Sequence, residues 1–142
     1  MAGYTNNYQL HQWEPGDDFL RTDFNEDLAK IDAELKERCQ VVFGSYVGNA
    51  DSSDSGTIQH ISLGVQPKLA VVLPSSGLPC QPGYGGAFLG YGGMCAPGQP
   101  AYSGGDSSTW TIQMTEDGFD VRNCGSMYVN GQGRTYYYLV LK

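Results

Sequence analysis

Basic residues are scarce in this chain. Its 142 residues include eight Lys and Arg against fifteen Asp and Glu, which gives a net charge of −7. Residues 1–40 hold nine acidic and four basic side chains, and residues 41–142 hold six and four. Because neither part offers a positive field to phosphate groups, we expect no nucleic-acid partner and no binding to an anionic membrane surface.

Long apolar runs are missing as well. No run approaches the roughly 20 residues that a membrane-spanning helix needs. The first residues, MAGYTNN, lack the charged and then apolar layout of a secretory signal. We therefore expect a protein without membrane insertion that is made in the cytoplasm without a signal peptide.

The four cysteines, Cys39, Cys80, Cys95 and Cys124, form no Cys-x-x-Cys pair. This spacing disfavours zinc-knuckle and thioredoxin-like folds. Cys80 and Cys95 bracket a glycine-rich segment, and a disulfide between them would stabilise the fold by about 3 kcal/mol in the chain-entropy description. Reduced, mostly buried thiols are the alternative expected of a protein made in the cytosol.

Sequence motifs of known catalytic and metal sites are absent too. Neither His11 nor His60 belongs to a Gly-x-Ser-x-Gly or His-Glu-x-x-His motif. The loop carboxylates Asp51, Asp54 and Asp106 lack the spacing of a calcium loop, and the glycine-rich segment lacks the Lys-Ser/Thr ending of a phosphate loop. We expect no enzyme, no catalytic residues, no cofactor and no metal.

The first forty residues suggest an assembly module. Residues 1–16 are polar and aromatic and predict an extended arm that lies against a partner. Residues 17–39 predict an amphipathic oligomerisation helix, with one apolar stripe formed by Phe24, Leu28, Ile31 and Leu35. A lone helix of this length is marginal in water, so the stripe needs either the following domain or two further copies in a trimeric coiled coil.

The short apolar runs in residues 40–142 predict an antiparallel β-sandwich. The expected fold class is therefore mainly β, after the arm and the single helix. The strand-like runs are residues 41–43, 57–61, 68–73, 110–114, 118–121 and 135–141. In the last run Tyr137 points to one side of the strand while Tyr136 and Tyr138 point to the other. That alternation favours a subunit contact for part of this tyrosine cluster.

Two Gly-Tyr-Gly-Gly repeats, at 83–86 and 90–93, lie within a glycine-rich stretch predicted as a long loop insertion at 74–108. Aromatic side chains on loops commonly contact another molecule, and their rings can stack on the apolar face of a sugar. The candidate receptor-binding residues are Tyr84, Phe88, Tyr91, Tyr102 and Trp110. A spacer or disordered loop whose aromatics pack locally is the open alternative.

Several longer segments resemble tail-fibre-like structural proteins encoded by phages and prophages of gut Gram-positive bacteria. The N-terminal match lies in residues 7–13 (NYQLHQW), 20–27 (LRTDFNED) and 30–32 (KID), and looser matches lie in 44–48, 61–72, 118–121 and 136–138. The resemblance implies a homotrimeric virion component with its N-terminal part toward the particle. The chain departs from the elongated fibre tips that carry His-x-His metal sites, because residues 59–61 hold one histidine.

The resulting functional hypothesis is a phage tail-fibre or receptor-binding-type virion protein. It would attach to other tail or baseplate proteins through its N-terminal part and bind a host-surface glycan or protein through the β-domain loops. Two alternatives remain open. One is a purely structural tail or baseplate adaptor without receptor binding, and the other is a cell-wall hydrolase that uses Cys124, with His60 as its base, or acidic loop residues.

Overall fold

The computed structural model describes residues 3–38, 40–51, 56–103 and 109–142. The chain divides into two compact units, Met1–Cys39 and Gln40–Lys142. Across the described ranges, no helix combines the length and apolar character needed to cross a bilayer.

The first residues form a short hairpin. Strand β1 (Gly3–Tyr4) pairs antiparallel with β2 (His11–Gln12). The loop between them closes through Thr5 N–H donating to the Leu10 carbonyl at 2.8 Å, with Gln9 in the left-handed region at φ +53°. The predicted extended arm is therefore wrong, because the chain reverses within ten residues and pairs with itself.

This hairpin lies against its own helix, α1 (Arg21–Glu37). His11 donates its backbone N–H to Asp27 Oδ2 at 2.8 Å, and its ring Nδ1 lies 3.0 Å from Asp27 Oδ1. Lys30 Nζ donates to the Gln9 carbonyl at 2.9 Å. Burial opposes ionisation of Asp27, but the two hydrogen bonds from His11 outweigh it and hold the pKa of this carboxyl below its usual value.

The helix is shorter than the predicted range 17–39. Residues Glu14 to Asp17 form a turn instead: Asp17 N–H donates to the Glu14 carbonyl and Glu14 N–H donates to Asp17 Oδ2, each at 3.0 Å. Gly16 sits at φ +107°, outside the helical region. The helix consequently begins at Arg21, and Cys39 lies outside the described residues.

The apolar stripe of α1 is exposed in the single chain. Phe24, Leu28, Ile31 and Leu35 keep between 39% and 60% of their surface in water. At about 100° per residue, these positions lie roughly a quarter-turn from the side that contacts the hairpin through Asp27. The hairpin contacts a polar side of the helix through Asp27. The stripe is only partly covered: the Phe24 ring lies 5.8 Å from that of Phe19, and Tyr8 borders a small groove with Ile31 and Leu35.

The second unit is mainly β and its sheets are antiparallel, as the sequence predicts. Its strands are β3 (Val41–Val47), β4 (Gln59–Ser62), β5 (Leu69–Pro74), β6 (Cys80–Pro82), β7 (Phe88–Gly90), β8 (Gly93–Cys95), β9 (Ala101–Tyr102), β10 (Trp110–Met114), β11 (Gly118–Val121) and β12 (Thr135–Leu141). Two four-stranded sheets run in the orders β4-β11-β10-β9 and β3-β12-β5-β8, and β6 pairs with β7 in a separate hairpin.

Both four-stranded sheets contribute to one hydrophobic core. Alternate residues of each strand point inward, so Val72 and Tyr136 from one sheet lie in the same buried cluster as Ile112 and Phe119 from the other. Tyr46 stacks on Tyr136 with ring centroids 5.1 Å apart. This pair of large rings, together with β-branched residues, fills the interior.

The predicted loop at 74–108 is ordered over most of its length. It supplies β6 and β7, a 3₁₀ turn at Tyr84–Gly86, and one edge strand to each four-stranded sheet, namely β8 and β9. The glycines permit close backbone approach: a Cβ at Gly92 would press against the Val72 carbonyl. Residues 104–108, the end of the predicted insertion, lie outside the described residues.

Candidate functional site

The β unit contains a cavity of about 430 Å³. This size falls within the range of small-ligand sites in proteins. Its lining combines aromatic rings with groups of opposite charge and an amide, from Asp51, Leu89, Tyr91, Tyr128, Gly131, Gln132 and Arg134. The cavity can therefore offer stacking faces, donors and acceptors to one polar ligand.

Two tyrosines form the aromatic wall of the cavity. The rings of Tyr91 and Tyr128 stack with centroids 6.0 Å apart and an interplanar angle of 30°. The Arg134 guanidinium carbon lies 5.1 Å from the centre of the Tyr91 ring, and Gln81 Nε2 donates to the Tyr91 hydroxyl at 2.7 Å. These contacts hold Tyr91 in one orientation and keep a cation at the cavity edge.

Backbone hydrogen bonds join the two segments that carry these rings. Gly90 N–H donates to the Ser126 carbonyl at 2.8 Å, and Tyr128 N–H donates to the Gly90 carbonyl at 2.7 Å. A Cβ at Gly90 would require the end of the Met127 side chain to move. The close pairing fixes the spacing between Tyr91 and Tyr128.

A buried asparagine, Asn130, holds the segments that carry Asp51 and Gly131. Asn130 Oδ1 accepts the Asn49 N–H at 3.0 Å, and Asn130 Nδ2 donates to Asn49 Oδ1 at 3.0 Å and to the Thr57 carbonyl at 3.2 Å. Asn130 N–H donates to Asn123 Oδ1 at 2.9 Å. The network locks the backbone just before Asp51 against the segment that leads to Gly131.

Tyr136 supports the cavity from beneath. Its hydroxyl donates to the Tyr128 carbonyl at 2.9 Å and accepts the Gly131 N–H at 3.1 Å. Burial raises the pKa of Tyr136, so this hydroxyl keeps its proton at neutral pH. One core side chain therefore fixes two of the residues that line the cavity.

The five predicted receptor-binding residues do not form one site. Only Tyr91 lines the cavity, and it is 6% exposed rather than displayed on a loop. Tyr84 is fully exposed in the turn between β6 and β7, and Phe88 is exposed on β7. Tyr102 and Trp110 are register partners on β9 and β10, where the Arg122 guanidinium carbon lies 4.1 Å from the centre of the Trp110 ring.

Several cavity residues were missed by sequence reasoning. Tyr128 and Arg134 belong to no motif, and the sequence suggests Asp51 only as a loop carboxylate, for calcium or for the hydrolase alternative. One signal was available: Arg134 is one of just four basic residues in 41–142. An isolated cation at a strand start, next to an Asn-Gly pair, is a reasonable marker of a binding loop.

The three cysteines that the structure describes do not build a site. Cys80 is exposed and Cys95 is buried, and both are free thiols, so the disulfide alternative is wrong. Cys95 points into the core on β8, whereas Cys80 lies on the separate β6–β7 hairpin. Burial raises the pKa of the Cys95 thiol to about 11.

His60 contacts carboxylates rather than Cys124. Its Nδ1 lies 2.7 Å from Asp120 Oδ1 and its Nε2 lies 3.2 Å from Asp117 Oδ1, on the surface of the β4–β11 pair. Within the part of the chain that the structure describes, no group of three or more His, Cys, Asp or Glu residues is arranged to hold a metal. Asp54 and Asp106 lie outside the described residues.

Comparison of the chain with protein-family models, curated proteins and solved structures gives no match.

Proposed function

We propose that this protein is a non-enzymatic virion component of the tail-fibre type whose β unit binds a host-surface saccharide. The observation that carries the proposal is the cavity with the stacked Tyr91–Tyr128 pair. A sugar presents an apolar face that stacks on a ring and hydroxyl edges that need both donors and acceptors. The ring available for stacking is the half-buried Tyr128, which the buried Tyr91 holds in place. Arg134 and Gln132 supply donors, and Asp51 supplies an acceptor.

The rest of the chain fits such a role. The two four-stranded sheets act as the layers of a sandwich that presents the cavity, and the exposed stripe of α1 self-associates as a short trimeric coiled coil. Three copies would give three sites, and avidity compensates for the weak affinity of a single shallow site. The N-terminal unit attaches this assembly to other tail or baseplate proteins in the virion.

The proposal is tested with the purified full chain and isolated cell walls from a panel of Gram-positive bacteria, measured by co-sedimentation. A panel of neutral hexoses and N-acetylhexosamines is titrated in parallel by NMR. We expect binding to at least one wall preparation and shifts at Tyr91, Tyr128 and Arg134 with the matching sugar.

Arg134→Ala is the decisive variant. It removes an exposed guanidinium at the cavity edge, and a lost charged hydrogen bond weakens binding by roughly 10-fold or more. Arg122→Ala is the matched control, because it also removes an arginine stacked over an aromatic ring, Trp110, outside the cavity. Equal binding by both variants would exclude the cavity, and absence of binding to every wall and sugar would favour the structural adaptor.

A further inference from the structure

We propose that the outer face of the β3-β12-β5-β8 sheet is an interface with a second copy of this chain. The face is apolar across all four strands. One row of register neighbours runs Phe43, Leu139, Val71 and Met94. A groove of about 230 Å³ lies beside this row.

The exposure of this face is unusual for a surface that stays in water. Phe43 is 74% exposed, Met94 61% and Tyr137 55%, and Val41 and Val47 at the two ends of β3 are each more than half exposed. Aromatic side chains carry about 150–250 Å² each, so Phe43 and Tyr137 alone leave on the order of 200 Å² of mostly apolar surface in water.

The area matches what association requires. With its partly exposed neighbours the face offers roughly 600 Å², at the top of the range for the largest apolar patch on a typical monomer. A standard interface buries about 800 Å² per partner. Closing this face against another copy would therefore bury about 1,200 Å² in total, the lower limit of a standard-size interface.

The charge pattern identifies a second copy as the occupant. Among the outward positions of these four strands, all within the described residues, the polar side chains are Ser45 and Thr135 and none is charged. Two identical faces can meet without opposing like charges. The other sheet differs, because its outer face carries His60 and Asp120 as an ion pair.

The interface also accounts for the tyrosine cluster of β12. Tyr136 is fully buried and Tyr138 packs on the core, while Tyr137 on the same strand points outward. A surface tyrosine of this kind, amphipathic and rigid, is typical of interface centres. The proposed interface includes none of the residues of the α1 stripe and none of those that line the cavity.

The test measures association of the full chain by sedimentation equilibrium and light scattering. We expect the wild type to sediment at two or more times its 15.4 kDa chain mass. Phe43→Glu and Tyr137→Glu should each raise the dissociation constant at least tenfold, since each places a charge on an apolar contact. Val65→Glu is the matched control, because Val65 is also exposed but lies in the connection between β4 and β5.

Leu28→Glu places a charge on the α1 stripe and so distinguishes association through that stripe from association through the sheet face. A monomeric wild type would assign the sheet face to a different partner and overturn the proposal. The proposal would also be overturned if Leu28→Glu abolished association while Phe43→Glu and Tyr137→Glu left it unchanged. Far-UV circular dichroism and urea unfolding of each variant check that a lower mass reflects dissociation of folded chains.

Discussion

The hydroxyl of Tyr136 makes a quantitative prediction about how the core holds the cavity. Tyr136→Phe keeps the ring that stacks on Tyr46 but removes the group that bridges the Tyr128 carbonyl and the Gly131 N–H. Each buried polar group left without a partner costs about 1–3 kcal/mol. Local relaxation recovers part of this, so we expect a loss of about 2 kcal/mol in the free energy of unfolding.

The measurement is urea unfolding of the full chain followed by circular dichroism, at one protein concentration because association shifts apparent stability. For a unit of about 100 residues, 2 kcal/mol corresponds to a fall in melting temperature of about 10 °C. An unchanged denaturant slope would show that the variant unfolds from an equally compact native state.

Tyr84→Phe is the matched control, because it removes a tyrosine hydroxyl from a fully exposed side chain. We expect this control to stay within about 0.5 kcal/mol of the wild type. If Tyr136→Phe were as stable as Tyr84→Phe, the hydroxyl bridge would not support the cavity and the reasoning would fail. Retained saccharide binding in a destabilised Tyr136→Phe variant would show that the bridge serves folding alone.

Two further predictions concern thiols and pH. At pH 8 in the folded protein, iodoacetamide should modify the exposed Cys80 and spare the buried Cys95, whose pKa is raised to about 11. Peptide mapping identifies the modified cysteine, and a disulfide-linked Cys80–Cys95 peptide would contradict the prediction. The hydrogen bond to Asp120 is the main cause that raises the pKa of His60 above its usual value, with burial opposing it. The contact of protonated His60 with Asp120 therefore stabilises the folded state fully below about pH 6.5, the ordinary histidine pKa. This stabilisation is lost as pH rises through the raised pKa of His60. Because His60 is well exposed, this effect is small. Between pH 6 and pH 9, we expect the free energy of unfolding in urea to fall by under 1 kcal/mol more for the wild type than for His60→Gln. An NMR titration midpoint of His60 at or below 6.5 would show that its pKa is not raised and would refute the prediction.

Local patterns in the sequence predicted the helix and the described strands of four or more residues, and missed the shorter strands. Residues 110–114, 118–121 and 135–141 form strands with the predicted bounds, and Tyr137 points away from Tyr136 as alternation requires. The stripe of α1 was also recognisable, because side-chain periods of 2.0 and 3.6 follow from backbone geometry alone. The helix start was missed, since the turn at residues 14–17 depends on a side-chain hydrogen bond that competes with helix formation.

The glycine-rich segment shows where local patterns stop being informative. Strands of two or three residues such as β8 and β9 have too few side chains to produce a period, and they exist because β5 and β10 offer edges to pair with. Glycine permits that pairing without favouring it. The sequence therefore predicts a loop for this segment, although each four-stranded sheet takes an edge strand from it.

Neighbouring residues set the succession of the main strands along the chain, the amphipathic helix and the scarcity of positive charge. Long-range contacts buried Tyr91, brought Tyr128 and Arg134 against it, and placed Asp51 in the lining of the same cavity. Those residues lie up to eighty-three positions apart, and only long-range sheet pairing and the Asn130 network bring such distant side chains into contact.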